Sequence, residues 1–188
     1  VEIGFRFIPA AGDKYKGGCA FCSDSFIRSL DMPDEVLSLA VMVNGSDLLA
    51  YSGGVEAAVE YLFGSAADSP VELVRIACHV NKVKETLPAV TQLNKLGYKT
   101  TVNLMQIAGL SKNELEQLSA LCAEYPIDIL YFADSLGGMV PDDIDKTVDS
   151  LRSHWHGELG FHGHNNMELA LPNSMRAIDK GVTWIDST

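Results

Sequence analysis

The sequence predicts a closed barrel of parallel β/α units, a (β/α)8 TIM barrel seen from its second strand to its eighth. Three observations carry this. Strand-like runs start near residues 1, 36, 71, 99, 127, 158 and 182, about 25–35 residues apart, with a helical segment in each gap, which is the pattern of a parallel sheet with crossover helices. The run Val36 to Asn44 is nearly continuous in apolar residues, as a parallel strand covered on both faces requires. Polar side chains stand at the C-terminal ends of five strands: Arg6, His79, Gln106, Asp134, and His162 with His164. In a closed barrel those ends meet at one mouth, whereas an open sheet spreads them along an edge. Only seven strands are visible. The 188 residues therefore read as a single barrel domain, 1–188, that lacks its first strand and is a fragment of a longer chain.

Composition excludes several classes of function. Hydrophobic residues make up 47% and charged residues 21%, and the formal net charge is −11. That balance argues against a nucleic-acid partner. No apolar run approaches the ~18 residues of a membrane span, and Val1 opens on a strand without a basic leader, so a cytoplasmic location is expected. Cys19 and Cys22 have C-x-x-C spacing, but no second ligand pair follows and no helix opens on the motif after a strand, so reduced thiols are the expectation.

Taken in order, Val1 to Phe7 alternates strictly, with Val1, Ile3 and Phe5 on one face and Glu2, Gly4 and Arg6 on the other. Pro9 to Gly18 is a loop, Asp24 to Leu30 a helix, and Pro33 with Asp34 restarts the chain. Val36 to Asn44 is a covered parallel strand, Gly45 to Ser52 a loop, and Val55 to Phe63 a helix. Val71 to Val80 is a strand with Arg75, Ala77 and His79 on one face. Lys82 to Leu96 is helical with a fault at Pro88 and a stop at Gly97. Lys99 to Ile107 is a strand, and Ser111 with Glu114 forms a capping box for a helix to Glu124. Ile127 to Ser135 is a strand, Gly137 and Gly138 a loop, and Pro141 opens a helix to Ser153. Glu158 to His164 is a strand, Asn166 to Lys180 a helix, and Val182 to Ser187 the last strand.

The segment Phe161-His162-Gly163-His164-Asn165-Asn166 carries the chemistry. Alternation puts His162 and His164 on one face, with Cα atoms ~6.7 Å apart. Two imidazoles so placed can converge on one ion at ~2.0–2.2 Å per bond, and a pair of solvated strand-end histidines is the bland alternative. Gly163 leaves the opposite face open to close approach by a helix.

These residues, with Leu169-Ala170, Asn173-Ser174, Ala177-Ile178, Gly181 and Asp186 after them, resemble the pyruvate-type metal aldolases and acyl-CoA lyases, the DRE-TIM metallolyase (HMGL-like) family. Glu2-Ile3-Gly4-Phe5-Arg6, Arg75-Ile76-Ala77-x-His79 and Asp134-Ser135-x-Gly137 match in order, and these segments resemble the hydroxy-oxovalerate aldolase branch. The resemblance implies a (β/α)8 barrel and a lyase that cleaves a 4-hydroxy-2-oxoacid, such as 4-hydroxy-2-oxovalerate, to pyruvate and an aldehyde. It implies a divalent metal, Mn²⁺ first and Mg²⁺, Co²⁺ or Zn²⁺ as alternatives, held by His162 and His164. Arg6, His79, Asp134 and Ser135 are then the catalytic candidates. Arg6 would neutralise a carboxylate or pair with Glu2. His79 would contact substrate, orient a neighbour or sit as a satisfied core histidine. Asp134 and Ser135 would bond substrate or a bound water, or cap a helix. Glu2, Gln106 and Asn166 would contact substrate or orient a ligand, with Asn166 capping the following helix as the favoured reading, and Asn173 and Ser174 are weaker substrate contacts. A small 2-oxoacid is the implied substrate, and a homo-oligomer and an aldehyde dehydrogenase partner are compatible with the family. The family's first-strand D-x-T-x-R-D motif, which supplies a third ligand and an arginine, has no counterpart here, so a non-catalytic barrel stays open. An acyl-CoA-condensing synthase or an HMG-CoA lyase-type enzyme is the other alternative.

Overall fold

The computed structural model describes residues 1–9, 17–32 and 38–186. The described chain is α/β of the (β/α)8-barrel type. Seven strands hydrogen-bond in chain order: β1 Glu2–Phe5, β2 Ala40–Asn44, β3 Leu73–His79, β4 Lys99–Met105, β5 Ile129–Asp134, β6 Glu158–Gly163 and β7 Trp184–Ile185. The registers of β1 on β2, β2 on β3, β5 on β6 and β6 on β7 are all parallel. The helices are α1 Asp24–Arg28, α2 Gly45–Ala50, α3 Val55–Leu62, α4 Val83–Thr86, α5 Pro88–Lys95, α6 Lys112–Ala123, α7 Pro141–Leu151 and α8 Ala170–Asp179. Two compact units divide the chain: Val1–Ala77 with Glu85–Thr101, and Cys78–Lys84 with Val102–Thr188.

In the first unit, β2 and β3 keep the strict register Ala40↔Leu73 through Asn44↔Ala77, so Met42 and Arg75 share a face. The core is aliphatic, with Val41, Val43, Val74 and Ile76 almost inaccessible. The expected loop at Gly45–Ser52 is instead α2. Asn44 accepts the Ser46 amide at 2.9 Å as an N-cap, Asp47 stands in the first turn, and Leu48 is buried. Six residues are too few for a period to show against the preceding apolar run. The expected fault at Pro88 is real: α4 ends at Thr86 and α5 restarts with Pro88 in its first turn. Pro33 and Asp34, the first two residues of the strand expected from Val36, and much of the Pro9–Gly18 loop lie outside the described residues.

The strict alternation expected for β1 fails at Gly4. Three steps of β1 span two of β2, Glu2↔Ala40 and Phe5↔Met42, so the strand slips phase between those pairs. Gly4 has φ +157°, and a Cβ there would overlap the Cys19 carbonyl oxygen, so only glycine fits. The slip leaves Glu2 and Phe5 on one face. Glu2 pairs with Arg75 at 3.1 Å, and Phe5 stacks on Phe7 at 4.7 Å. Arg6 is turned to the other side.

The second unit holds β5, β6 and β7 in continuous register, from Ile129↔Glu158 to Asp134↔Gly163, then Gly160↔Trp184 and Phe161↔Ile185. Phe132 and Phe161 pack at 5.0 Å on one face of that sheet. On the other, the Tyr131 ring lies across Gly160, where a Cβ would stand 2.5 Å from ring carbons. The capping box at Ser111 is formed, with the Glu114 carboxylate accepting the Ser111 hydroxyl at 2.6 Å and the Ser111 amide at 2.7 Å, and those two bonds lower its pKa. α7 and α8 are clamped by Arg176, whose Nε and Nη2 each donate to Asp145 at 2.6 Å. α8 begins at Ala170 rather than Asn166, because Glu168 takes the left-handed conformation, φ +59°, and interrupts the run. All four thiols are free; Cys19 is exposed and Cys22, Cys78 and Cys122 are buried. Burial, reinforced by Cys78, pushes the Cys122 thiol up to about 12. Among the described residues no helix is long and apolar enough to cross a membrane.

Candidate metal and substrate site

The site is built at the C-terminal ends of β5 and β6 and around β7. Asn103 and Leu104 carry β4 to its end at Met105, where Gln106 turns the chain in a left-handed conformation, φ 61°, ψ 36°. That conformation costs a non-glycine residue about 1 kcal/mol. The Ser135 hydroxyl, one residue past β5, offsets it by accepting the Gln106 amide at 2.9 Å. Ser135 and Gln106 are therefore brought together, with the Ser135 hydroxyl proton left to donate.

Asp134 does not join them. Its partner in register is Gly163, whose missing Cβ points at Phe161 and at Ala170 of α8. Asp134 thus sits on the helix-covered face, opposite His162, whose register partner is Ala133. It is 1% exposed, and its two carboxylate oxygens accept the amides of Gly138 at 3.0 Å and Met139 at 2.9 Å. The expected bonding to substrate or water, and the expected helix cap, are both replaced by this loop-building role. The cause is strand parity: Ala133, not Asp134, shares the histidine face.

The same loop is fastened from the segment after β6. Asn166 Nδ2 donates to the Leu136 carbonyl at 3.0 Å, and its Cβ packs where a Gly137 side chain would be; Gly137 has φ +62°. Asn173, 1% exposed, donates to the Met139 carbonyl at 2.7 Å. The cap expected of Asn166 is not formed: the N-cap position of α8 is Leu169, and the Ala170 amide is instead accepted by Asn165 Oδ1 at 3.1 Å. Buried Asn173 is held in this structural bond, so the substrate contact expected of it is not supported.

His162 and His164 converge as their spacing predicts. Their rings meet edge to face, centroids 5.0 Å apart, with the two Nε2 atoms at 3.1 Å. His162 Nδ1 lies 2.8 Å from Asp186 Oδ2. A carboxylate can only accept, so His162 Nδ1 is the donor to Asp186, and Nε2 is the atom that meets His164. Such a meeting is bridged either by one N–H or by a cation that accepts from both rings. Two bonds of ~2.1 Å at a right angle span roughly 3.0 Å, which the pair fits. Among the described residues, no group of three or more His, Cys, Asp or Glu side chains is placed to hold a metal. Asp186 was visible in the sequence only as part of the family pattern. Its partnership with His162 depends on β7 pairing with β6, which no local signal reports.

His79 ends β3 half-buried, on the face of Arg75 and Ala77 by alternation. Arg6 and Glu2 lie in the first unit and are engaged there. Arg6 is 5% exposed; Nε donates to the Cys22 carbonyl at 2.7 Å, Nη1 to the Leu62 carbonyl at 3.3 Å and Nη2 to Asp24 at 2.6 Å, and the guanidinium stacks over Phe63. Both expected roles, a carboxylate receptor and a pair with Glu2, fail for one reason: the phase slip at Gly4 turned the side chain away from Glu2's face.

Comparison with known proteins gives the family. Residues 55–188 match the family model HMGL-like. A 4-hydroxy-2-oxovalerate aldolase of Geobacillus thermodenitrificans is 34% identical over 124 residues, 66% of this chain and 36% of its own. One of Geobacillus genomosp. 3 is 30% identical over 177 residues, 94% of this chain and 51% of its own. The chain thus spans about half or less of the length of these curated relatives. Among solved structures, the N-terminal domain of a Bacteroides vulgatus protein assigned as an aldolase superposes with TM-score 0.78 at 24% identity, covering 100% of this chain and 59% of that one. The carboxyl transferase domain of Rhizobium etli pyruvate carboxylase with pyruvate superposes with TM-score 0.69 at 16% identity, covering 80% and 27%. These two likenesses speak to fold alone.

Proposed function

Since this chain belongs to the HMGL-like family, we propose that it forms the metal-binding part of a divalent-metal-dependent aldolase. The reaction is retro-aldol cleavage of a 4-hydroxy-2-oxoacid, 4-hydroxy-2-oxovalerate as the first substrate to try, giving pyruvate and an aldehyde. The observation that carries the reading is the 3.1 Å approach of His162 Nε2 to His164 Nε2, with the Asp186 carboxylate 2.8 Å from His162 Nδ1. Two imidazoles would suit a divalent transition ion, and Mn²⁺ is the first to try.

When bound, the ion supplies Lewis acidity toward the 2-oxo group of the substrate. The chain's own residues do the rest. His162 and His164 hold the ion. Ser135 accepts the Gln106 amide and keeps its hydroxyl proton available to donate to a substrate oxygen. His79, at the end of β3, is a further titratable candidate for contact with the substrate. Asn166 acts by holding the loop that carries Ser135. Arg6 has no part in this scheme, and carboxylate neutralisation falls to another group of the whole protein.

The test is turnover of 4-hydroxy-2-oxovalerate by the full natural chain with Mn²⁺, reading pyruvate through a coupled reduction. Pyruvate release that disappears in His162→Gln and His164→Gln supports the reading. No pyruvate, or acetyl-CoA-dependent condensation of a 2-oxoacid in its place, sinks it.

A further inference from the structure

We infer that Asp186 is a positioning residue, which sets the tautomer and ring orientation of His162 so that a lone pair, and not an N–H, faces His164. The inference rests on the ligand reading above and adds a residue to it. Asp186 follows β7 directly. Ile185 is in register with Phe161, so by alternation Asp186 emerges on the face of His162. Its amide donates to the Phe161 carbonyl at 3.1 Å, which ties its backbone to β6 itself. Its Oδ2 then meets His162 Nδ1 at 2.8 Å, with the His162 and Asp186 side chains only 21% and 18% exposed. The strand that presents the imidazole therefore also anchors the carboxylate that aims it. A carboxylate so anchored cannot follow the ring if the ring flips, so one orientation is held.

A free neutral imidazole places its proton on either nitrogen. With Nε2 protonated, His162 would offer its neighbour a donor and could not ligate through that atom. The Asp186 bond is charge-assisted and selects the other tautomer. Carboxylate partners of metal-bound histidines typically contribute 10–100-fold to metal affinity.

The measurement is made on the full natural chain without metal, by long-range ¹⁵N–¹H correlation of the imidazoles at pH 8, with His162 assigned through His162→Gln. The expected result is a protonated Nδ1 and a bare Nε2 at His162. An Nε2–H tautomer in the unaltered protein overturns the inference and needs no variant that might misfold. Mn²⁺ titration followed by electron paramagnetic resonance supplies the second readout. Asp186→Asn, which keeps an acceptor, should bind several-fold more weakly, and Asp186→Leu about 10–100-fold more weakly. Leu at that position binding Mn²⁺ as the unaltered chain does, with its melting temperature kept, also overturns it. If the unaltered protein shows the expected tautomer and yet no Mn²⁺ signal, the ligand reading fails while the hold of Asp186 on the ring stands.

Discussion

Arg6 and His162 look equivalent in the sequence. Each is a polar side chain at the end of an apolar strand, and each was expected to face a common site. In the first unit the strand slips at Gly4, and Arg6 ends in a closed circle of partners: Asp24, two carbonyls and the face of Phe63. In the second unit β6 keeps unbroken register, and His162 meets His164 through Nε2 while its Nδ1 contacts Asp186. The arginine is spent on cohesion. The histidine's partners are the side chains of the site itself, His164 and Asp186. A strand-end polar residue is thus a candidate for chemistry only if the parity of its strand survives and a donor or lone pair is left over.

The largest effect should come from removing the satisfied group. Arg6→Ala deletes a buried ion pair and two carbonyl bonds and should cost about 3 kcal/mol of stability by denaturant unfolding. Mn²⁺ affinity should stay unchanged; a fall in affinity without a fall in stability would put Arg6 back at the site and break the contrast. Next is the slip itself. Gly4→Ala forces a side chain onto the Cys19 carbonyl and should cost about 1–3 kcal/mol; a neutral result would mean that β1 can run without the irregularity. Ser135→Ala removes the acceptor of the Gln106 amide and should cost about 1 kcal/mol, with Gln106→Gly recovering part of it by relieving the left-handed backbone. The smallest effect is one of pH. The Glu114 carboxylate is lowered below its usual range by the Ser111 hydroxyl and amide. Its contribution is therefore full above the unfolded glutamate pKa and fades as pH falls through the lower folded value. Glu114→Gln should flatten that acid limb slightly in thermal melts between pH 5 and 3, values chosen to bracket the ordinary carboxylate range of about 4.

The contrast also marks what could be read ahead of the structure. The strands and most helices were legible because apolar runs, Pro88, the Ser111–Glu114 box and Pro141 are local signals. The histidine pair was legible because alternation over three residues is robust. Arg6 was not, because a slip depends on the close approach of Cys19, fifteen positions along. Asp134 was misplaced by one residue of strand parity, and only its pairing with Gly163 settles the face. The Ala170 amide is accepted by Asn165 and not by Asn166 because Glu168 delays α8. Asp186 acquires its role from a two-residue strand, too short to show a pattern of its own.

The loop from Ser135 to Val140 invites a different description. Asp134 grips it from within through the Gly138 and Met139 amides, and Asn166 and Asn173 grip two of its carbonyls from the next segment. A segment rich in glycine is ordinarily the part of an enzyme that opens and shuts. Here it is riveted on both sides, so its amides should exchange with solvent on the slow clock of the β-sheet. A loop held in this way is a fixed part of the fold beside β6 and not a moving one.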